Sequence, residues 1–272
     1  MKFFAFSAMS IRRLSALSLL FFLDNTAFAN DAPQAVATVL GKTITVRELD
    51  AIPGAALPED ATARDQVLGT RLQAMVWSAV FADYGKQRGI EPTQAEIESN
   101  IQNHARIEKQ LRIEREQQRE QLKEKLKQPD LAPAERVQLA QHLQVLDSLQ
   151  AFDAKRDAES KDPNRIKIQQ AAQRQVATHW VRQWKLNQAL HREFGGRVVF
   201  QQAGWEPIDA YRKLLNQYET SKSLTFADEK WRTATYRYLE YRFVYADESK
   251  ARYYFEKPYW ERTQQEMKAA GF

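Results

Sequence analysis

The sequence predicts a mainly α protein with a short β element near its N-terminus. Long stretches repeat apolar residues three and four positions apart, which is the spacing of an amphipathic helix. Residues 105–127 are almost entirely Glu, Gln, Lys and Arg, which favour helix. Aromatic residues concentrate near the end. The expected architecture is therefore a β element, amphipathic helices, a long charged helical hairpin and an aromatic-rich C-terminal subdomain.

The first 29 residues have the order of a secretory signal peptide. Arg12 and Arg13 precede an apolar run over residues 14–23, and Ala27 and Ala29 form an A-x-A cleavage site. The run is shorter than the roughly 20 residues that span a bilayer, and a retained anchor is the alternative. We expect cleavage after residue 29 and a periplasmic mature protein.

The composition excludes several classes of protein. The absence of cysteine excludes disulfides and thiolate metal sites. Cleavage would remove three basic residues and one acidic residue, so the formal charge would fall from +5 to +3, which calls for no nucleic acid or other polyanion as a partner. No later apolar run reaches transmembrane length, so we expect a soluble chain with no stable membrane span after signal cleavage.

Residues 30–104 are predicted to form an N-terminal module. Residues 36–40 and 43–45 suit two β segments around a tight turn at Gly41-Lys42, and Thr45 and Glu48 stand at capping-box spacing. A second capping box begins at Thr93 after the predicted end of a helix over residues 64–88. The apolar face of that helix comprises Leu68, Leu72, Met75, Val76, Ala79 and Val80.

Residues 105–162 are predicted to form a charged helical hairpin arm. Pro129 breaks the charged helix, and Pro133 suits the first turn of a second helix. Disorder is the alternative for the charged stretch, because it has few apolar residues to bury.

Residues 163–272 are predicted to form a long helix and the aromatic-rich subdomain. The helix begins at Asp162-Pro163 and stops at Gly195-Gly196. A short strand over residues 197–200 and a helix over residues 207–218 follow. In the remainder we favour helices, because one helical face would collect Trp231, Ala234, Tyr238, Tyr241 and Tyr245.

Several N-terminal motifs together resemble a known family. They are residues 37–45, Glu48-Leu49-Asp50, the helix end at residues 84–90 and Thr93-Gln94-Ala95-Glu96-Ile97. In this order after an export signal, they resemble the N-terminal region of SurA-type periplasmic chaperones and related parvulin foldases over about residues 35–105. The resemblance implies a helical module that binds unfolded client chains, followed by a prolyl-isomerase domain. Residues 106–193 depart from that pattern, because they are nearly glycine-free and predicted to be helical, so isomerase activity is not carried over.

No enzymatic motif is evident in the sequence. It has no Gly-x-Ser-x-Gly elbow, Walker loop, Gly-x-Gly-x-x-Gly fingerprint or His-Glu-x-x-His motif. The four histidines, His104, His142, His179 and His191, lack ligand spacing. We therefore expect no catalytic residue, no metal and no cofactor.

Two groups of apolar residues are candidates for client binding. The first group lies on the N-terminal helix and comprises Leu72, Met75, Val76 and Val80. These residues suit the core of the module better than they suit client binding. The aromatic and basic residues after residue 230 could grip an unfolded chain, or form the core of a small subdomain. From this second group we select Trp231, Tyr238 and Tyr241.

The sequence favours a periplasmic chaperone-like protein that binds unfolded or outer-membrane client proteins without catalysis. One alternative is a cell-envelope adaptor that uses the arm to bind one specific partner. Another is a divergent peptidyl-prolyl isomerase.

Only Met75 and Met267 would remain in the mature chain, so a methionine-rich groove is not expected.

Overall fold

The structure, a computed structural model, describes residues 34–54, 56–159, 162–201 and 204–271. The expected signal peptide lies outside these residues. The mainly α class is confirmed. In chain order the elements are β1 (Ala35–Val39), β2 (Lys42–Thr45), α1 (Val46–Asp50), α2 (Ala61–Gln87), α3 (Gln94–Leu126), α4 (Pro133–Glu159), α5 (Pro163–Phe194), β3 (Val199–Gln201), β4 (Gly204–Glu206), α6 (Ile208–Thr220), β5 (Leu224–Phe226), α7 (Glu229–Tyr236), α8 (Glu248–Glu256) and α9 (Gln264–Ala269).

The N-terminal hairpin is joined to a strand from the other end of the chain. The sheet has the order β2-β1-β5, and both pairings are antiparallel. The turn lies one residue earlier than predicted, at Leu40-Gly41, where both residues have positive φ, at 52° and 80°, as tight hairpin turns require. The Leu40 amide donates to the Ser223 carbonyl at 2.7 Å, and the Ala227 amide donates to Val36 at 3.0 Å. β1 is therefore the central strand.

The main hydrophobic core is shared by the two ends of the chain. Helix α2 packs along α7, and the Trp77 indole donates to the Thr235 carbonyl oxygen at 3.2 Å. Segments 30–104 and 163–272, which we expected as separate units, thus contribute to one core. Among its fully buried members are Val36, Ile44, Leu49, Leu72, Val76, Val80, Leu190, Ile208, Leu214, Leu215 and Leu224.

The charged stretch is helical, and it forms the expected arm. Helix α3 continues to Leu126, which makes it roughly 50 Å long. The outer half of α3 pairs with α4, and its inner half pairs with α5. Leu122 and Leu146 are the buried apolar residues of the outer pair. Ion pairs connect the two helices along the rest of this length: Arg112–Asp157 at 2.7 Å, Arg115–Asp153 at 2.9 Å and Arg119–Asp147 at 2.7 Å.

The predicted helix boundaries are confirmed where a capping residue marks them. Thr45 and Thr93 each form a capping box with the glutamate three positions later. The Asp162 carboxylate accepts from the Asn164 amide at 2.9 Å and begins α5, which ends before Gly195 at a φ of 60°.

The continuous helix predicted from Trp231 to Tyr245 is wrong in its second half. Helix α7 ends at Tyr236, and a short 3₁₀ turn carries the chain to Glu240. The backbone then extends, because its polar groups pair with the segment before α6: Tyr245 bridges to Val199, and the Ala246 amide donates to the Val198 carbonyl at 2.8 Å. Strand pairing with a distant segment replaces the local helix here.

The close approach of α2 to α7 predicts the effect of substituting a glycine. A Cβ added at Gly69 would lie 2.7 Å from the Ala234 Cβ. We expect Gly69→Ala to lower the free energy of unfolding by about 1 kcal/mol or more, because overpacking costs more than the helix propensity that alanine contributes. Urea unfolding followed by circular dichroism measures this change.

Gly85 in the same helix provides the matched control. A Cβ there would lie 4.0 Å from Ile90, which is an ordinary contact. Gly85→Ala should leave the stability unchanged or raise it by up to about 1 kcal/mol. Equal effects of the two substitutions would contradict the close packing of α2 on α7.

Candidate functional site

A cavity with an aromatic lining lies beside the C-terminal half of α5. Its volume is about 790 Å³, within the range of ligand sites. Helix α5, the β3–β4 hairpin, residues 244–250 and residues 254–271 surround it. We call it the aromatic pocket, after its ring-bearing lining residues Trp180, Trp184, Phe200, Trp205, Tyr245, Tyr254 and Tyr259, with His104 from α3.

The wall of the aromatic pocket is a connected series of rings. Trp205 stacks on Tyr254 with the ring centroids 5.3 Å apart, and Tyr254 stacks on Tyr259 at 6.2 Å. Tyr259 meets Trp260 edge-on at 4.9 Å, and Trp260 meets Trp184 edge-on at 5.3 Å. Such pairs add to the stability that ring burial provides, so the rings of the wall support one another.

Two apolar side chains at the rim are left in solvent. Phe200 is 67% exposed and Val244 is 94% exposed, and both line the aromatic pocket. The Trp184 and Trp205 side chains below them are only 5% and 7% exposed. The cavity therefore has a buried aromatic floor and an exposed apolar rim, which is the form of a surface that a ligand can cover.

A buried amide fixes the position of Trp205. Asn187 on α5 donates to the Trp205 carbonyl at 2.9 Å and accepts from the Tyr211 hydroxyl at 2.7 Å. Gln183 donates to the same amide oxygen at 3.0 Å. Asn187 thus connects α5, the β3–β4 hairpin and α6, and each polar group in this network has a partner.

The tyrosines of the wall stay neutral at physiological pH. Burial raises the pKa of Tyr254 well above its usual value. Burial also raises the pKa of Tyr259, and the hydrogen bond that Asn100 donates to its hydroxyl at 3.1 Å partly offsets that rise. The Asn100 bond connects the base of the arm to the aromatic pocket.

The polar residues at the rim serve the fold. The Asp247 carboxylate caps α8, and the Ser249 hydroxyl and backbone amide hold its pKa below the usual value. Lys250 donates to the Gly271 carbonyl at 3.2 Å. In the described ranges no group of three or more His, Asp or Glu residues could hold a metal ion. Most of the lining is aromatic or apolar, so the arrangement is suited to burying apolar groups of a ligand.

The structure separates the predicted client-binding residues from the aromatic pocket. Leu72, Val76, Val80 and Trp231 are buried in the main core, so a client cannot reach them in the folded chain. Met75 and Tyr238 are half-buried against the same core. Tyr241 is 54% exposed, in an aromatic cluster with Tyr238 and Phe243.

Sequence reasoning placed the aromatic pocket's residues on separate elements and did not bring them together. Trp180 and Trp184 were assigned to the long helix and Phe200 to a short strand. One signal was available: Trp180, Trp184 and Asn187 recur at four- and three-residue spacing on one face of α5. Spacing alone does not reveal that the rings of the β3–β4 hairpin and of residues 254–260 face them.

No protein-family model matches the chain, and no curated protein or solved structure does either. Within the ranges that the structure covers, no helix is both long enough and apolar enough to cross a membrane.

The Asn187 network predicts a non-additive pair of substitutions. Asn187→Ala should lower the free energy of unfolding by about 2–4 kcal/mol, because it removes two hydrogen bonds, to the Trp205 carbonyl and from the Tyr211 hydroxyl, and leaves space where the buried amide was. Tyr211→Phe should cost about 1 kcal/mol in the native chain and less in the Asn187→Ala background, where the hydroxyl has already lost the hydrogen bond that it donates to Asn187. A double-mutant cycle from urea unfolding measures the difference, and additivity within about 0.5 kcal/mol would contradict the network.

Proposed function

We propose that the protein is a chaperone-like periplasmic protein that binds unfolded or partly folded polypeptides without catalysis. The observation that carries this proposal is the exposed apolar rim, Phe200 and Val244, above the buried aromatic floor of Trp184 and Trp205. An apolar segment of a client would cover the rim and place a side chain against the wall.

The energetics of this contact suit weak and reversible binding. Covering the two rim side chains would remove on the order of 200 Å² of apolar surface from water. At about 25 cal/mol per Å², this contributes roughly 5 kcal/mol before the cost of ordering the client. One such contact gives low affinity, so several are needed on one client chain.

The arm offers further apolar contacts. Val145, Leu149 and Phe152 recur at four- and three-residue spacing on α4, and all three are exposed. Ile168 on α5 is also exposed. An extended client that reaches from the aromatic pocket to the arm would meet apolar groups at several points, which raises affinity through effective concentration.

The resemblance of residues 35–105 to SurA-type chaperones supports the same class of function. The isomerase part of that family remains without support here, because residues 106–193, apart from the undescribed 160–161, form helices α3 to α5 with short connections. A client-binding role without prolyl isomerisation is therefore the version that we propose.

A second candidate function, the adaptor for one folded partner, is favoured by one feature of the arm. Between Arg136 and Asp153, α4 has a single charged residue, Asp147, and its carboxylate pairs with Arg119. The solvent-facing side of α4 is thus uncharged over about four turns. A specific partner helix could lie along it.

The test of the proposed function is suppression of aggregation. We expect the chain from Asn30 to Phe272 to reduce the light scattering of a urea-unfolded outer-membrane protein at near-stoichiometric ratios. The rim variant Phe200→Ser/Val244→Ser should need about tenfold more protein for the same effect, because it loses the apolar contact area of the rim.

The arm supplies the matched control, since Phe152 and Val145 are also an exposed phenylalanine and valine, at 63% and 57%. Phe152→Ser/Val145→Ser should reduce suppression less than the rim variant does. A larger effect of the arm pair would move the main contact to α4. No suppression by the folded native chain would reject chaperoning and favour the adaptor.

A further inference from the structure

Helix α9 forms part of the aromatic pocket and separates it from a second cavity. That cavity has a volume of about 370 Å³ and lies between α3 and the chain around α9. Met267 and Tyr259 line both cavities, and the second one continues past Asn103 to Gln110. The Met267 side chain thus stands where the two cavities adjoin.

Few contacts hold α9 in this position. None of its residues, Gln264–Ala269, is buried, and Met267 is half-buried. The Tyr253 hydroxyl donates to the Glu266 carbonyl at 3.1 Å, and Lys250 donates to the Gly271 carbonyl at 3.2 Å, both at exposed positions. Exposed hydrogen bonds exchange readily with water, so these two bonds stabilise the observed position of α9 only slightly.

The chain immediately before α9 is firmly anchored. The Arg262 side chain is buried, with its guanidinium 3.7 Å from the Tyr253 ring centroid. It donates to the Tyr253 carbonyl at 2.5 Å and to the Lys257 carbonyl at 3.2 Å, while Arg106 on α3 donates to the Arg262 carbonyl at 2.8 Å. Any displacement of α9 therefore begins after Arg262.

A capping box preserves α9 as a helix when it moves. The Thr263 amide donates to the Glu266 carboxylate at 2.6 Å, and the Glu266 amide donates to the Thr263 hydroxyl at 3.1 Å. These bonds lie within α9 and its cap, and they need no contact with the rest of the protein. The segment can move as a unit through changes in the ψ dihedral of Arg262 and the φ dihedral of Thr263, which flank the planar peptide bond between them.

We propose that α9 is a displaceable lid on the aromatic pocket, with Met267 as its apolar anchor, and that a client segment displaces it. With α9 displaced, the aromatic pocket and the second cavity become one groove along α3, from Phe200 to Gln110. A single methionine anchor suits this role, because its flexible side chain fills irregular space without demanding one geometry. An apolar side chain of the client then occupies the space that the Met267 side chain fills when α9 is in place. This inference rests on the proposed function for the identity of the client.

A client binds only those molecules in which α9 is displaced. The apparent affinity is therefore the intrinsic affinity multiplied by the fraction of molecules in that open state. Met267→Ser removes the anchor and should raise that fraction. We expect it to bind reduced, carboxymethylated α-lactalbumin, a permanently unfolded protein, about threefold or more tightly than the native chain, as measured by fluorescence anisotropy. The matched control is Gln265→Ser, an exposed position on the same helix, which should leave the affinity unchanged.

A cross-link tests the closed state in the intact chain. The chain has no cysteine, so cysteines introduced by Gln110→Cys and Gln264→Cys are the sole thiols, and both positions line the second cavity. Joining them with a reducible bis-maleimide should hold α9 closed and weaken client binding several-fold. Reduction of the linker should restore the binding.

The neutral fluorophore Nile red reports the opening without any client. Its fluorescence should rise on Met267→Ser and fall on cross-linking. If Nile red fluorescence and client affinity are unchanged both in Met267→Ser and in the cross-linked variant, the lid proposal is overturned. The proposed function would still stand. If Nile red fluorescence changes as expected but no variant binds the client, the result supports the lid and rejects the proposed function.

Discussion

Pairing of β1 with β5 is the contact on which the rest of the architecture depends. It brings residues 37 and 226 opposite each other and makes β1 the central strand of its sheet. The same closure packs α2 along α7, so Gly69 lies against Ala234 with no room for a side chain. The arm, which lies between these segments in the chain, therefore projects from one shared core. The position of the arm is set by the directions in which α3 leaves that core and α5 returns to it.

The arm and the core are stabilised by different forces. The core buries branched apolar residues almost completely, whereas the outer arm buries little beyond Leu122 and Leu146 and relies on helix propensity and on Arg–Asp pairs. Pairs of this kind, exposed to solvent, contribute about 1 kcal/mol or less each and weaken with salt. The outer arm thus has less buried apolar surface to stabilise it than the core has, and the core holds its base in place.

The aromatic pocket is formed where these two parts meet. Asn187 fixes the position of Trp205, and Asn100 connects Tyr259 to the base of α3, so the wall depends on both the core and the arm. The anchored Arg262 precedes α9, which has no buried residue, so a segment with few contacts lies at the edge of the wall. Segments with few buried contacts are the ones that open at low free-energy cost, which is the basis of the lid that we propose.

The sequence by itself determined where most helices begin and end. The capping boxes at Thr45 and Thr93, the Asp162-Pro163 start and the Gly195 stop depend on atoms within four residues, so they can be recognised without the fold. Only the tertiary structure decided that β5 pairs with β1, that the chain from Tyr241 to Tyr245 extends, and that the rings of α5, the β3–β4 hairpin and residues 254–260 share one pocket. These choices depend on which distant segments satisfy backbone hydrogen bonds and bury apolar surface together, and local spacing carries no record of them.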